Sequence, residues 1–376
     1  MPITPQSTST SGSDDQHSKP VSIWHRDVSS FFKRRHTPKA SLREIPIFCR
    51  KMSFLLGAGI HIKSALSIVS EQLPGRGISR HMSGLNARVQ QGESFSQAAK
   101  ATGAFPAFFH GFVAIGEAAA RLPQVMEQLA DFYEDQAQTR DELTAVLVYP
   151  IAVTIIMLGV IIMAVTLVLP GYSRIFAATG VPLPPLTRGL LHISDFLTAN
   201  ALWVIVGMIA AFAAAALFIR GNRGQNIVAA AKLRIPIVRQ GVNFRLTQAL
   251  HMLLSAGLPV SQALPLAEGV MDNIHVRRDL NKISTQLEMG KPFWEALQGV
   301  TYIDPLLVGL ARVGEETGYM TQTMEKCQNY YAQAYKKSIR RLSKLVEPII
   351  TLILGIGLGI IMLAVILPTF ELATIM

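Results

Sequence analysis

Three stretches of the chain carry no charged residue and are too long to hide in a soluble core. They are residues 143–173, between Glu142 and Arg174, residues 196–219, between Asp195 and Arg220, and Pro348 to Phe370, between Glu347 and Glu371. At 1.5 Å of rise per residue, each is long enough as a helix to cross about 30 Å of hydrocarbon. Their centres, IAVTIIMLGVIIMAVTLVL, ALWVIVGMIAAFAAAALFI and IITLILGIGLGIIMLAVIL, are apolar on every face, unlike the striped helices of a soluble bundle. Composition agrees: of 376 residues 50% are hydrophobic and only 16% charged, and the mean hydropathy is +0.33. The net charge of +10 suits anionic headgroups, an acidic partner or nucleic acid, and does not choose among them. Two cysteines, Cys49 and Cys327, form no disulfide or zinc pattern and read as buried thiols.

The chain also repeats itself. At an offset of 198, LLGAG at Leu55 to Gly59 lies over LLSAG at Leu253 to Gly257, and Gly92, Phe95 and Ala98 fall on Gly290, Phe293 and Ala296. Without a gap, Gly116-Glu117 then meets Gly314-Glu315, Tyr133 meets Tyr331, Pro150 meets Pro348 and Pro170 meets Pro368. The register superimposes the first and third uncharged stretches and the prolines at both their ends. The repeated unit is therefore a domain of about 100 residues plus the span that follows it. The unmatched middle span returns the chain so that the second unit starts on the same side.

Basic residues orient this arrangement. Arg220, Arg223, Lys232 and Arg234 follow the second span, and Lys336, Lys337, Arg340, Arg341 and Lys344 precede the third, which places the intervening segment in the cytoplasm. The expected organisation is a disordered polar and basic tail (1–41), a first cytoplasmic domain (42–142), a membrane helix (143–173) and a periplasmic connector (174–195). A second membrane helix (196–219), a second cytoplasmic domain (220–345), a third membrane helix (346–370) and a periplasmic C-terminus (371–376) follow. The tail starts without a basic region leading into an apolar one, so no signal peptide is expected.

Within each unit the apolar spacing is helical. Leu246, Leu250, Leu253 and Leu254 recur at steps of three and four, Gly257 supplies a stop, and Pro259 precedes a new start. Residues 277–288, 304–312 and a long amphipathic run, 320–345, continue the pattern. No stretch alternates like a half-buried strand. The fold class expected is thus an all-α integral membrane protein with two homologous cytoplasmic helical bundles and three transmembrane helices.

No catalytic, cofactor or metal site is expected. Gly290-Lys291 has Thr285 where a phosphate loop needs its first glycine and Pro292 where it needs a hydroxyl, and neither HExxH nor G-x-S-x-G occurs. The spans lack the buried charges of an ion relay. Gly355 and Gly359, with Gly357 between them, form a G-x-x-x-G face suited to close helix approach. Glu117 and Glu315, each ending an apolar segment after Gly116 and Gly314, read either as a cap or charge partner for the next helix or as a contact for a cytoplasmic partner; the capping reading is preferred.

Residues 42–372 resemble the general secretion pathway F family, the inner-membrane platform proteins of type II secretion and type IV pilus machines, which includes PilC-like members. The resemblance rests on Ile235-Pro236-Ile237 to Gly241, Arg245, LHMLLSAGLPVSQAL at Leu250 to Leu264, Gly314-Glu315-Glu316-Thr317-Gly318, and Val346-Glu347-Pro348-Ile349. The first repeat departs from it at Ala120, where the second has Gly318. The resemblance implies a homo-oligomer in the membrane lipid. It also implies coupling between a cytoplasmic hexameric ATPase and the extraction of pilin or pseudopilin subunits, alongside other inner-membrane components and without nucleic acid. Residues then expected to carry coupling or structure are Gly116, Glu117, Gly314, Glu315, Gly318, Lys336, Lys337, Arg340, Arg341, Pro150, Pro170, Pro348, Pro368, Gly355 and Gly359. A transporter or permease subunit is the competing reading, against which stand the few spans and the same-sense repeat. A membrane enzyme would need a catalytic cluster.

Overall fold

The computed structural model describes residues 41–73, 77–164, isolated positions from 166 to 199, and 200–373. The tail 1–40, most of the connector 174–195, Pro170 and the residues after 373 lie outside the described residues. Among those described, the regular structure is helical throughout. The first unit comprises α1 (Glu44–Gly57), α2 (Ile62–Gln72), α3 (Ser79–Gln90), α4 (Phe95–Thr102), α5 (Ala107–Ala118) and α6 (Leu122–Met163). Two helices, α7 (Ala201–Arg220) and α8 (Asn222–Arg234), lead to the second unit. That unit comprises α9 (Pro236–Ser255), α10 (Val260–Glu268), α11 (Ile274–Glu288), α12 (Phe293–Leu297), α13 (Pro305–Thr317) and α14 (Met320–Ala373). Each of the six helices of the first unit thus has its counterpart in the second, at the offset read from the sequence.

Local chemistry sets the boundaries. Pro236 opens α9 at a position whose N–H would have no helical partner, and Gly257, with φ 92°, turns the chain after it. Gly59, with φ 81°, does the same after α1. Asp304 caps α13 by accepting from the Leu306 N–H at 2.9 Å, and Pro305 follows at the first helical position. Two elements were not legible beforehand: α8, and the five-residue α12.

What the structure adds to the sequence reading is continuity. No helix boundary falls at the expected junctions of domain and span, at 142 and at 345. α6 runs through 42 residues and α14 through 54, lengths of about 60 and about 80 Å. Both are long and apolar enough to cross a membrane, and a third candidate exists only if the segments Val206–Ile219 and Gly224–Arg234, bent by 84°, are counted together. Pro150 and Pro348 sit inside α6 and α14 near the start of their uncharged runs, each removing one ladder donor without ending the helix.

Each bundle packs on the lower part of its own long helix, α1 against α6 and α9 against α14, while α6 and α14 pack on each other. The first bundle is filled by aromatic rings: Phe48, Phe95, Phe108, Phe109, Phe112 and Phe132 are all buried, with Phe105 stacked on Phe109 at 4.2 Å between centroids. The second relies on aliphatic residues such as Leu246, Leu250, Leu253 and Leu264, with Tyr331 and Phe293. Truncating one of these rings to alanine would cost about 3–5 kcal/mol.

The turn before each long helix carries one residue in the left-handed region. Gly318 takes φ 77°, and Ala120 at the matching position takes φ 53°, the one positive φ at a non-glycine residue among those described. The departure at Ala120 therefore leaves the turn intact at the expense of a Cβ in the left-handed region, worth about 1–2 kcal/mol. Ala120→Gly is expected to stabilise the detergent-solubilised protein by about 1 kcal/mol, and Gly318→Ala to destabilise it by about as much. Thermal unfolding of the two variants beside the parent tests this; the same sign for both would contradict it.

Candidate functional site

The two Gly-Glu pairs occupy equivalent positions. Gly116 and Gly314 are buried near the ends of α5 and α13, where a Cβ would come within 2.8 Å of Val125 and 3.0 Å of Thr323, residues that match each other at the same offset. Small side chains there let the long helix close over the turn. The adjacent carboxylates do not cap the next helix. Glu117 accepts from the N–H groups of Phe95 at 2.6 Å and Ser96 at 3.0 Å, and Glu315 from those of Phe293 at 3.0 Å and Trp294 at 3.2 Å. Both reach back 22 residues to the N-terminus of α4 or α12. They satisfy two donors that the helix itself cannot, at the positive end of its dipole. Glu117 is half-buried and Glu315 exposed, so the same bonds are screened less in the first bundle.

The basic cluster lies on α14. Lys337, Arg340 and Arg341 are exposed and make no ion pair among the described residues, whereas Lys336 is half-buried. Their counterparts on α6 are not basic, and that helix is acidic instead, with Asp131, Glu134, Asp135, Asp141 and Glu142. Arg50 of α1 binds Asp131 at 2.6 Å and Glu134 at 2.8 Å, and Arg43 binds Asp141 at 2.6 Å. Asp135 belongs to neither pair. It turns toward the second unit, where the Gln248 amide donates to it at 3.2 Å and the Lys336 charge favours its ionised form. Burial outweighs both and holds the Asp135 carboxyl above the usual carboxylate range, aided by the negative charges of Asp131 and Glu134.

This junction was missed in the sequence, although a signal exists. Gln248 stands 198 positions after Arg50, so the register itself shows a cation replaced by a neutral amide where the second unit meets the first. The remaining candidates stand apart. Gly355 and Gly359 face open space on α14, while Gly357 between them takes the close approach, a Cβ there overlapping the Met157 side chain of α6. Pro368 lies within α14. Among the described residues no three His, Cys, Asp or Glu side chains stand together as metal ligands. Cys49 and Cys327 are free and buried, and burial raises both thiols, Cys327 to about 11.

Comparison with known proteins matches this duplicated architecture. The sequence model of the family described as type II secretion system (T2SS), protein F, matches residues 48–170 and again 246–368, two stretches separated by the same offset of 198. The type IV pilus assembly protein PilC of Thermus thermophilus is 27% identical over 335 residues, covering 88% of this chain and 82% of that protein. PilC of Pseudomonas aeruginosa is 25% identical, covering 90% of this chain and 92% of its own. The type II secretion system protein F of the same organism is 26% identical, covering 88% and 83%.

Two outcomes follow from the site geometry. Glu117→Ala should lower stability by about 2 kcal/mol and Glu315→Ala by about 1 kcal/mol, the sheltered cap costing more; equal losses in thermal unfolding would contradict the assignment. Because the folded-state pKa of Asp135 is raised, its stabilising contribution is present below the unfolded value and lost as pH rises through the folded one. The parent should therefore gain stability relative to Asp135→Asn as pH falls from about 7 to about 4. A difference that does not change with pH, or changes the other way, would contradict this.

Proposed function

As the chain belongs to the type II secretion system protein F family, we propose that it is the inner-membrane platform of a type IV pilus or type II secretion machine, coupling a cytoplasmic assembly ATPase to the extraction and assembly of pilin or pseudopilin subunits. The observation that carries this reading is the unbroken passage of α6 and α14 from a polar bundle into an apolar stretch. A helix is stiff over such lengths, so a force applied to a bundle tilts or turns the stretch joined to it. That is the part a mechanical coupler needs, and it requires no nucleotide site of its own.

The topology proposed has both bundles in the cytoplasm, three crossings formed by the apolar part of α6, by α7 and by the apolar part of α14, and a periplasmic C-terminus. The basic residues on the bundle side of α14 support it. The ATPase would meet the exposed charges of Lys337, Arg340 and Arg341 with an acidic face, Lys336 being half-buried. Pilin, other inner-membrane components and lipid would meet the apolar parts, including the open face at Gly355 and Gly359. Copies of the chain would associate into a homo-oligomer.

The test is the turnover of the ATPase from the same system, with and without the purified full-length chain in detergent. Stimulation of several-fold is expected. Replacing Lys337, Arg340 and Arg341 by glutamate should abolish it, and filament assembly with it, while leaving the protein in the membrane. Unchanged stimulation in that variant would refute the docking surface, and no stimulation or binding by a folded, oligomeric parent would refute the coupling role.

A further inference from the structure

Beside the Asp135–Gln248 junction, the two bundles touch through α5 and α10, a contact that has no counterpart among the described residues. On α5, Gly111 lies beneath Leu266 of α10, so close that a Cβ there would be 2.8 Å from the leucine Cδ2. Gly269, at the end of α10, lies against the Phe108 N–H and the Ala107 side chain. A glycine in the middle of a helix is less stable than alanine, and at Gly111 the approach of Leu266 accounts for it.

The same position in the second bundle is Gly309, in the middle of α13, and a Cβ built there meets nothing within 4 Å. Instead, Gly309 opens on a cavity of about 510 Å³, walled by Trp294, Leu297, Val300, Ile303, Pro305 and Val308. No described residue accounts for this glycine. The counterpart of α10 is α2, which places Ile68 at the position of Leu266 and the exposed Glu71 at that of Gly269. Two exposed arginines, Arg239 and Arg312, stand at the rim of the cavity, and Arg312 rests on the Trp294 ring at 4.9 Å. Arg312 also pairs with Glu316 at 2.7 Å, which leaves Arg239 as the cation to face Glu71; one part of the chain thus presents the inserting helix and the other the open seat.

We propose that α2 of one copy docks over Gly309 of the next, seating Ile68 in the cavity as Leu266 is seated on Gly111, so that copies join head to tail. The occupant is a second copy because it alone carries the helix that the duplication matches to α10. Such a contact is heterologous: it repeats the relation between the two bundles of one chain and closes into a ring when the rotation allows. The inference rests on the homo-oligomer proposed above and adds the surface through which it forms.

The experiment uses the full-length chain in nanodiscs. Two differently tagged populations are co-expressed, one carrying Ile68→Cys and the other Gly309→Cys, and oxidised mildly. The native thiols are buried, with their ionisation disfavoured, so they stay out of the reaction. A disulfide joining the two tags is expected, since docking would bring the two Cα atoms within about 7 Å. Gly309→Leu, which fills the seat, should weaken association at least about tenfold while leaving the unfolding temperature unchanged or higher. Failure of the link in a preparation that light scattering shows to be oligomeric would overturn the surface alone, as would preferred linkage of Ile68→Cys to itself or undiminished association of Gly309→Leu. A monomer by light scattering would overturn the surface and the oligomer together.

Discussion

The bundles of this molecule are hung on two long helices, α6 and α14, that run on through their internal prolines without ending. In hydrocarbon each backbone N–H and C=O must find its partner within the segment, so a chain that enters an apolar phase as helix is best served by entering with the ladder already formed. α6 and α14 are built in this way, each starting inside a bundle and running on through the proline at the edge of its uncharged stretch. The other helices are arranged to hold them: α1 lies along α6, α9 lies along α14, and the short helices fill the sides. The consequence is mechanical. A bundle cannot rotate independently of its apolar stretch, because no loop stands between them.

Duplication supplies two copies of that lever, and the differences between them show what each position is for. Positions that build the turn are kept in both: the buried Gly116 and Gly314, the capping Glu117 and Glu315, and the left-handed Gly92 and Gly290. Positions at the seam have diverged. Arg50 holds the acidic face of α6 within its own unit, while Gln248 at the same place reaches across to Asp135. Gln138 of α6 is matched by Lys336 of α14, which sets an acidic long helix beside a basic one. Two identical units could not have paired in this way, since like charges would have faced each other.

How much of this could be read in the sequence follows from the range of each interaction. The apolar stretches and the helical period are local, and the register of the repeat needs no structure, so the all-helical class and the two units were legible. The continuity of α6 was not, because at Leu143 a one-sided apolar stripe gives way to an all-round one, and a change of composition looks like a boundary where the backbone has none. The partners of Glu117 and Glu315 were placed on the wrong side for a similar reason. A cap supplied from 22 residues away leaves no signature at the helix it caps. In the G-x-x-x-G face the contact fell on Gly357, because the facing residue, Met157, decides which glycine is used and belongs to another helix.

The bend between α7 and α8 then bears on how the second unit is brought back to the side of the first. Counted as one broken span, the pair would leave α8 in the apolar phase, with Lys232 and Arg234 in its last turn. Its backbone argues otherwise. The Ala229 carbonyl accepts from the Asn273 amide at 2.8 Å, and the Asn226 carbonyl lies 3.0 Å from His275 Nε2, so α8 is tied to the start of α11 and belongs to the second bundle. In the topology proposed above, the return is therefore assigned to α7 alone. Its 20 residues span about 30 Å, the thickness of the hydrocarbon layer, and in the proposed topology the 84° turn at its end marks where the chain leaves the membrane and the second bundle begins.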